Sequence, residues 1–178
     1  MIIGMLRHFK VKHETKKKWM NSNQFNKWIE TYNNSEIIPP KNIDILGNWD
    51  ICYSSDLKRS ELTAKLLYNG KIITTNDLRE IRLKNIINTG IKLHYNIWLI
   101  ISRIIWYFSK NSQEETRYEA ISRAKKFIDL IEKSNYSNTL VVSHGAFMKY
   151  LNSELRQRKY KGKMGFIPKN GKLVIYKK

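Results

Sequence analysis

The sequence predicts an α/β fold with a mainly parallel central sheet. Three observations carry that expectation. Short apolar runs of strand length recur at Met1–Leu6, Asp50–Tyr53, Lys71–Thr74 and Thr139–Val142. Segments with helical spacing of apolar residues lie between them. Neither an internal repeat nor a flexible linker breaks the alternation, and strands separated by helices imply a parallel sheet.

Taken in order, Met1–Leu6 reads as a first apolar strand. Ser22 is expected to cap a helix over Asn23–Tyr32, with Phe25, Trp28 and Ile29 on one face. A loop over Asn33–Pro40 ends in Pro39-Pro40. Asp50–Tyr53 is a second strand, and Ser55 is expected to cap a helix over Asp56–Tyr68 that Asn69-Gly70 stops. Lys71–Thr74 is a third strand. Ile91–Phe108 reads as a helix that is apolar almost all round, interrupted by Ser102 and Arg103. Ser112 and Glu115 have capping-box spacing, ahead of a helix that runs to about Lys133 with Ala120, Ala124, Phe127 and Ile131 on one face. Thr139–Val142 reads as a buried central strand. Gly145–Leu155 is helical again. The end reads as a hairpin, Met164–Ile167 and Leu173–Tyr176 about an Asn170-Gly171 turn, with Pro168 suited to a strand end.

A chain of 178 residues, 42% apolar, is expected to form one domain over 1–178. Its single cysteine, Cys52, sits in an apolar stretch and reads as a buried thiol in a reducing compartment. No Cys/His ligand spacing suggests a metal, so no metal site is expected. The most apolar run, Ile97–Phe108, falls short of the roughly 20 residues a membrane span needs. With no secretory signal peptide, the expectation is a soluble, cytoplasmic protein without a membrane partner. The formal net charge is +18. Every charged side chain from Leu155 onward is basic, and Lys10, Lys12, Lys16, Lys17 and Lys18 form a second cluster. Such charge attracts something anionic: a phosphorylated substrate, nucleic acid or acidic lipid. Compositional drift in a Lys-, Asn- and Ile-rich chain would give the same excess.

Ligands in parallel α/β folds bind at the carboxyl ends of the strands. Arg7-His8 follows the first strand and Ser143-His144-Gly145 follows the Thr139–Val142 strand, so both histidines can face one crevice. Arg59 lies on the first turns of the helix after Ser54-Ser55, and Glu80 follows Leu78-Arg79. Two arginines, two histidines and one carboxylate suit phosphoryl transfer. Guanidinium forks bind phosphoryl oxygens bidentately. A neutral imidazole can attack phosphorus, and a carboxylic acid can protonate the leaving oxygen. Gly145 opens a helix whose N-terminal amides favour an anion.

Strand–Arg7-His8, then Ser54-Ser55-Asp56-Leu57-Lys58-Arg59-Ser60-Glu61-Leu62-Thr63-Ala64, then Leu78-Arg79-Glu80, then Val141-Val142-Ser143-His144-Gly145 resembles the histidine phosphatase superfamily. This family comprises the cofactor-dependent phosphoglycerate mutases and their phosphatase relatives. The resemblance implies a three-layer sandwich with a helical lid inserted over roughly 81–111. It implies His8 as the nucleophile that becomes phosphohistidine, with Arg7 and Arg59 on the phosphoryl oxygens. It makes His144 the stabilising second histidine, and Glu80 the acid of the first step and the base of the second. It requires no metal, and no cofactor is expected for this chain.

The chain also departs from the family pattern. The glycine expected after the nucleophile is Phe9, which could narrow the entrance or re-route the loop. The asparagine expected six residues after it is Glu14; Lys10, Lys12 or His13 are the available substitutes. The Gly-x-Trp-Glu-Gly pattern after Glu80 is missing. Trp98, Ile101, Ile105 and Phe108 are expected as lid core.

The leading expectation is a metal-independent phosphomonoester hydrolase. A phosphoglycerate mutase-type phosphotransferase is the second, disfavoured by the short chain and rewritten first loop. A non-catalytic, basic nucleic-acid-binding protein on a degenerate phosphatase fold is the third. Nucleic acid is ranked last because no aromatic–basic RNA motif or recognition helix is present. Substrate identity and oligomeric state stay open.

Overall fold

The structure is a computed structural model that describes residues 1–41, 47–81, 88–108 and 115–178. Strands β1 (Ile2–Arg7), β3 (Ile51–Ser55), β4 (Ile72–Thr75), β6 (Asn138–Ser143) and β7 (Leu173–Lys177) form one sheet in the order β4-β3-β6-β1-β7. All neighbours are parallel except β7, which runs antiparallel to β1. A separate two-stranded ribbon joins β2 (Trp19–Met20) to β5 (Leu93–His94). The expected α/β class and mainly parallel sheet are present, and β6 is the central strand.

Alternation along the strands divides the core. Ile3 and Met5 of β1, Ile51 and Tyr53 of β3 and Val141 of β6 point to one face. There they meet Ala120, Ala124, Phe127 and Ile131 of α4 (Arg117–Glu132) and Phe147, Leu151 and Leu155 of α5 (Phe147–Gln157). Leu6, Cys52, Leu140 and Val142 point to the other face, against Ala64 and Leu67 of α2 (Lys58–Leu67). Gly4 belongs to this second face because a Cβ there would stand 2.3 Å from the Trp49 indole. A third cluster joins Phe25 of α1 (Ser22–Asn34) to Met20 and to Trp98 of α3 (Tyr95–Phe108).

Several boundaries move from their sequence positions. Asn21, not Ser22, caps α1, in a capping box with Gln24. Ser55 ends β3 instead of capping a helix: its hydroxyl accepts the Leu57 N–H, and α2 begins only at Lys58. The capping box of α4 is Thr116 with Glu119; Ser112 lies outside the described residues, and Glu115 holds Arg123 instead. The apolar segment before α3 begins as β5, because Leu93 and His94 find backbone partners in Met20 and Trp19. The C-terminal hairpin does not form, and β7 pairs with β1 instead. The segment before it is drawn to the end of β1: Gly171 (φ +68°) donates its N–H to the Arg7 carbonyl, and Asn170 Nδ2 donates to the His8 carbonyl at 2.7 Å.

Candidate active site

Strand register brings the two histidines together. Arg7 of β1 stands opposite Ser143 of β6, and the His8 N–H donates to the Ser143 carbonyl at 3.0 Å. The residues that follow each strand end are therefore side by side, and the His8 and His144 rings lie 5.1 Å apart. Both are buried.

The backbone fixes the tautomer of His8. Its Nδ1 lies 2.7 Å from the Phe9 carbonyl, an acceptor, so Nδ1 carries the proton and Nε2 presents its lone pair. Arg59 Nε donates to that Nε2 at 3.2 Å. Burial, and then the Arg59 and Arg7 charges, hold the His8 pKa down at about 3, although the Phe9 carbonyl opposes them. His8 is thus a neutral imidazole at ordinary pH. Burial likewise holds His144 well below its usual range, with Arg59 and His8 adding to the effect.

Arg59 lies in the first turn of α2, almost fully buried, with its guanidinium 5.5 Å from the Tyr32 ring. Its Nη1 is held by the Asn33 side-chain oxygen at 3.1 Å and the Asn33 carbonyl at 3.3 Å. One residue on, Ser60 Oγ lies 3.2 Å from His144 Nε2. Thr63, one further turn along, donates to the Arg59 carbonyl and accepts the Phe9 N–H. A single helical face thus orients Arg59, His144 and the loop after His8.

Arg7 Nη1 donates to the Pro168 carbonyl at 2.9 Å. Its buried Nε has no partner among the described residues, and neither has His144 Nδ1. Gly145 packs against this guanidinium: a Cβ there would lie 3.2 Å from Arg7 Cζ. The expected free helix N-terminus after Gly145 is otherwise engaged. Glu80 Oε2 accepts from Ala146 at 3.2 Å, and Oε1 accepts from Phe147 and Ile81 at 3.0 Å each. The Glu80 carboxyl is thus the group that the N-terminus of α5 engages in this structure. Arg79 beside it forks onto Asp56 at 2.7 and 2.6 Å, tying the Glu80 segment to the end of β3.

A cleft of about 350 Å³ opens beside these groups. Arg7, Glu80 and Gly145 line it, with Arg103 and Tyr107 of α3 and Lys149 of α5. Phe9 does not line it. Its side chain is buried with Leu6, Ile37 and Leu67, against Gly171, so Phe9 is a core residue and not an entrance residue. Of the lid-core expectations, Trp98 is buried, Ile101 and Ile105 are half-buried and Phe108 is exposed. Among the candidate substitutes for the missing asparagine, Lys10 and Lys12 are exposed, as is Glu14. His13 packs edge-on against Trp28 and Tyr32. Cys52 is fully buried, and burial pushes its thiol up to about 12, which suits an inert core residue. Among the described residues no group of three or more His, Cys, Asp or Glu side chains is arranged to hold a metal ion.

Sequence reasoning did not single out Ser60, Thr63, Asn33 or the Asp56–Arg79 pair. Ser60, Thr63, Asp56 and Arg79 stand inside the motifs that carry the resemblance, one or a few residues from the chemistry-bearing side chains. Asn33 gave no signal, because only the packing of α1 beside α2 brings it to Arg59.

No curated protein matches the sequence. Solved structures share the fold at low identity. The phosphoserine phosphatase of Entamoeba histolytica, solved with 3-phosphoglyceric acid, superposes with a TM-score of 0.60 at 19% identity, over 98% of this chain and 89% of that one. The alpha-ribazole phosphatase of Shigella flexneri gives 0.61 at 17% identity over the same shares. A mycobacterial glucosyl-3-phosphoglycerate phosphatase gives 0.58 at 15%, over 88% of this chain and 79% of that one. The family model for the histidine phosphatase superfamily (branch 1) matches residues 45–177. The match starts beyond Phe9 and Glu14, the positions where the first motif departs from the family pattern. It takes in Arg59, Glu80 and His144, whose side chains converge with His8 and Arg7 at the carboxyl ends of β1, β3 and β6. On that match, three quarters of its length, the chain belongs to the histidine phosphatase superfamily.

Proposed function

We propose that this protein is a phosphomonoester hydrolase that works through a phosphohistidine on His8 Nε2. The observation that carries the reading is the pair of bonds on His8. Nδ1–H is committed to the Phe9 carbonyl, and Nε2 faces the Arg59 guanidinium with its lone pair. An imidazole held neutral needs no deprotonation before it attacks phosphorus. The similar solved structures named above are phosphatases of three different phosphomonoesters, which supports the class of reaction and leaves the substrate open.

In this reading a substrate phosphoryl group enters from the cleft, through the side lined by Arg7 and Gly145, to reach His8 and His144, and its oxygens take hydrogen bonds from Arg7 and Arg59. Charge spreads over the equatorial oxygens as the phosphoryl group transfers, and fixed cations stabilise it without reorganising. His144, with one nitrogen held by Ser60, donates to the same group. His8 Nε2 forms the bond to phosphorus while the bond to the leaving oxygen breaks, and Glu80 supplies that oxygen's proton. Glu80 then takes a proton from the water that attacks the phosphohistidine, releasing inorganic phosphate and free His8. No metal takes part. The test is hydrolysis of a panel of phosphomonoesters, with and without chelator, by wild type and His8→Asn. Turnover that survives chelator and disappears in a folded His8→Asn protein supports the reading. Equal turnover by both proteins, or none by wild type, overturns it.

A further inference from the structure

Helix α3 is apolar on two faces, and among the described residues only one of them is covered. Trp98, Ser102 and Trp106 are buried. On the opposite side Ile100 is 58% exposed, Ile104 53% and Phe108 77%, with Ile97 also exposed. At 3.6 residues per turn these four side chains fall within about 80° of one another, a continuous apolar stripe. Arg103 is the helix's single charged residue.

The N-terminal end of α3 is tied to a basic hook. Lys16, Lys17, Lys18 and Trp19 are all exposed, Trp19 by 61%. The hook is fixed to α3 by backbone: Trp19 pairs with His94 in the β2–β5 ribbon, and Tyr95 donates its N–H to the Lys18 carbonyl at 2.9 Å. Ile91 and Lys92, just before β5, are exposed as well. Residues 15–20 and 91–108 contain no Asp or Glu.

From this juxtaposition of an uncovered Ile/Phe stripe with a Lys-Lys-Lys-Trp hook, we propose that α3 and the hook form a docking face for an anionic lipid bilayer. Lysines beside an amphipathic aromatic and an apolar stripe match the layers of a membrane surface: anionic headgroups, interface and acyl chains. The 14-residue helix is about 21 Å long, and no helix among the described residues can cross a membrane, so α3 would lie in the interface plane. The charge argues against a second copy of the chain as the occupant, since two chains of net +18 repel and the face offers no carboxylate to pair with the hook. The sequence expectation of no membrane partner rested on the lack of a spanning segment and of a signal peptide, while the basic charge already allowed acidic lipid as an anionic partner. The proposal stands apart from the phosphatase reading.

Flotation of the full chain with vesicles tests it. Phosphatidylcholine vesicles with about 30% phosphatidylserine, at about 0.15 M salt, should carry the protein, and phosphatidylcholine alone should not. Ile100→Ser with Ile104→Ser, which changes no charge, should weaken binding about tenfold or more. Lys16→Ala, Lys17→Ala and Lys18→Ala together should weaken it about 100-fold, at roughly fivefold per lysine. Circular dichroism should show both variants folded. Equal binding by the isoleucine variant would mean adsorption by net charge alone and would overturn the proposal. So would failure of wild type to float. A concentration-dependent dimer in light scattering that the isoleucine variant dissolves would assign the face to a second copy and overturn it equally.

Discussion

Arg59 Nε stands 3.2 Å from His8 Nε2, so the lone pair assigned to attack on phosphorus is met by a cation fixed in the same helix turn as Ser60. The contact orders the nucleophile and helps hold it neutral. Lysine at position 59 would keep a charge but lose the planar fork that bonds His8 and Asn33 together. Arg59→Lys is expected to lower kcat/KM on an aryl phosphate by about 10² to 10³. Activity within a few-fold of wild type would reduce Arg59 to a structural residue.

The histidines also set an acid limit on stability. An unfolded histidine binds its proton near pH 6.5, whereas folded His8 does so only near 3 and His144 well below its usual value. The unfolded state therefore takes up protons first as pH falls. The contribution of each histidine is fully present above about pH 6.5 and is lost progressively below it, for His8 until about pH 3. The slope is up to about 1.4 kcal/mol per pH unit for each group. Denaturant unfolding between pH 7 and 4 should show this loss, and His8→Gln should make it shallower. An unchanged slope in that variant would contradict the assigned burial of His8.

Phe9 should behave as core. Truncation of a buried phenylalanine costs about 3 to 5 kcal/mol. Phe9→Ala is expected to lower the unfolding midpoint markedly and to leave the ranking of substrates as it was. A changed ranking at unchanged stability would return Phe9 to the entrance.

The contrast between Phe9 and His8 shows what the sequence can carry. His8, His144, Arg59 and Glu80 were legible because strand ends and helix starts are local features, and parallel pairing of β1 with β6 brings the rest. The side to which Phe9 turns depends on Gly171, 162 residues away in the chain, and no local pattern encodes it. The same holds for the missing hairpin: Asn170-Gly171 is a good turn signal, but the unsatisfied carbonyls of Arg7 and His8 claim its donors. Helix caps moved where two capping residues compete, as Asn21 with Ser22, and the one that completes a box with a residue three positions on wins. The apolar character of α3 was plain in the sequence; which of its faces is covered was not.

Glu80 separates two roles that one carboxylate can hold. Its oxygens accept three amides, so it holds the start of α5 as well as facing the cleft. Glu80→Gln keeps an acceptor for the Phe147 and Ile81 amides and should cost about 1 kcal/mol of stability. An alkoxide leaves poorly without a proton and a nitrophenolate leaves well. Single-turnover phosphoenzyme formation should therefore slow by about 10² to 10⁴ for alkyl phosphates and far less for nitrophenyl phosphate. Equal slowing for both would place the acid elsewhere.

A covalent phosphohistidine on His8 can be read by rapid acid- and base-quench of the enzyme with labelled substrate. A burst of protein-bound label is expected that is lost in acid, survives base, maps to the peptide containing His8 and is absent from His8→Asn. Turnover without any such burst in single-turnover mixing, or label that maps to another residue, would contradict it.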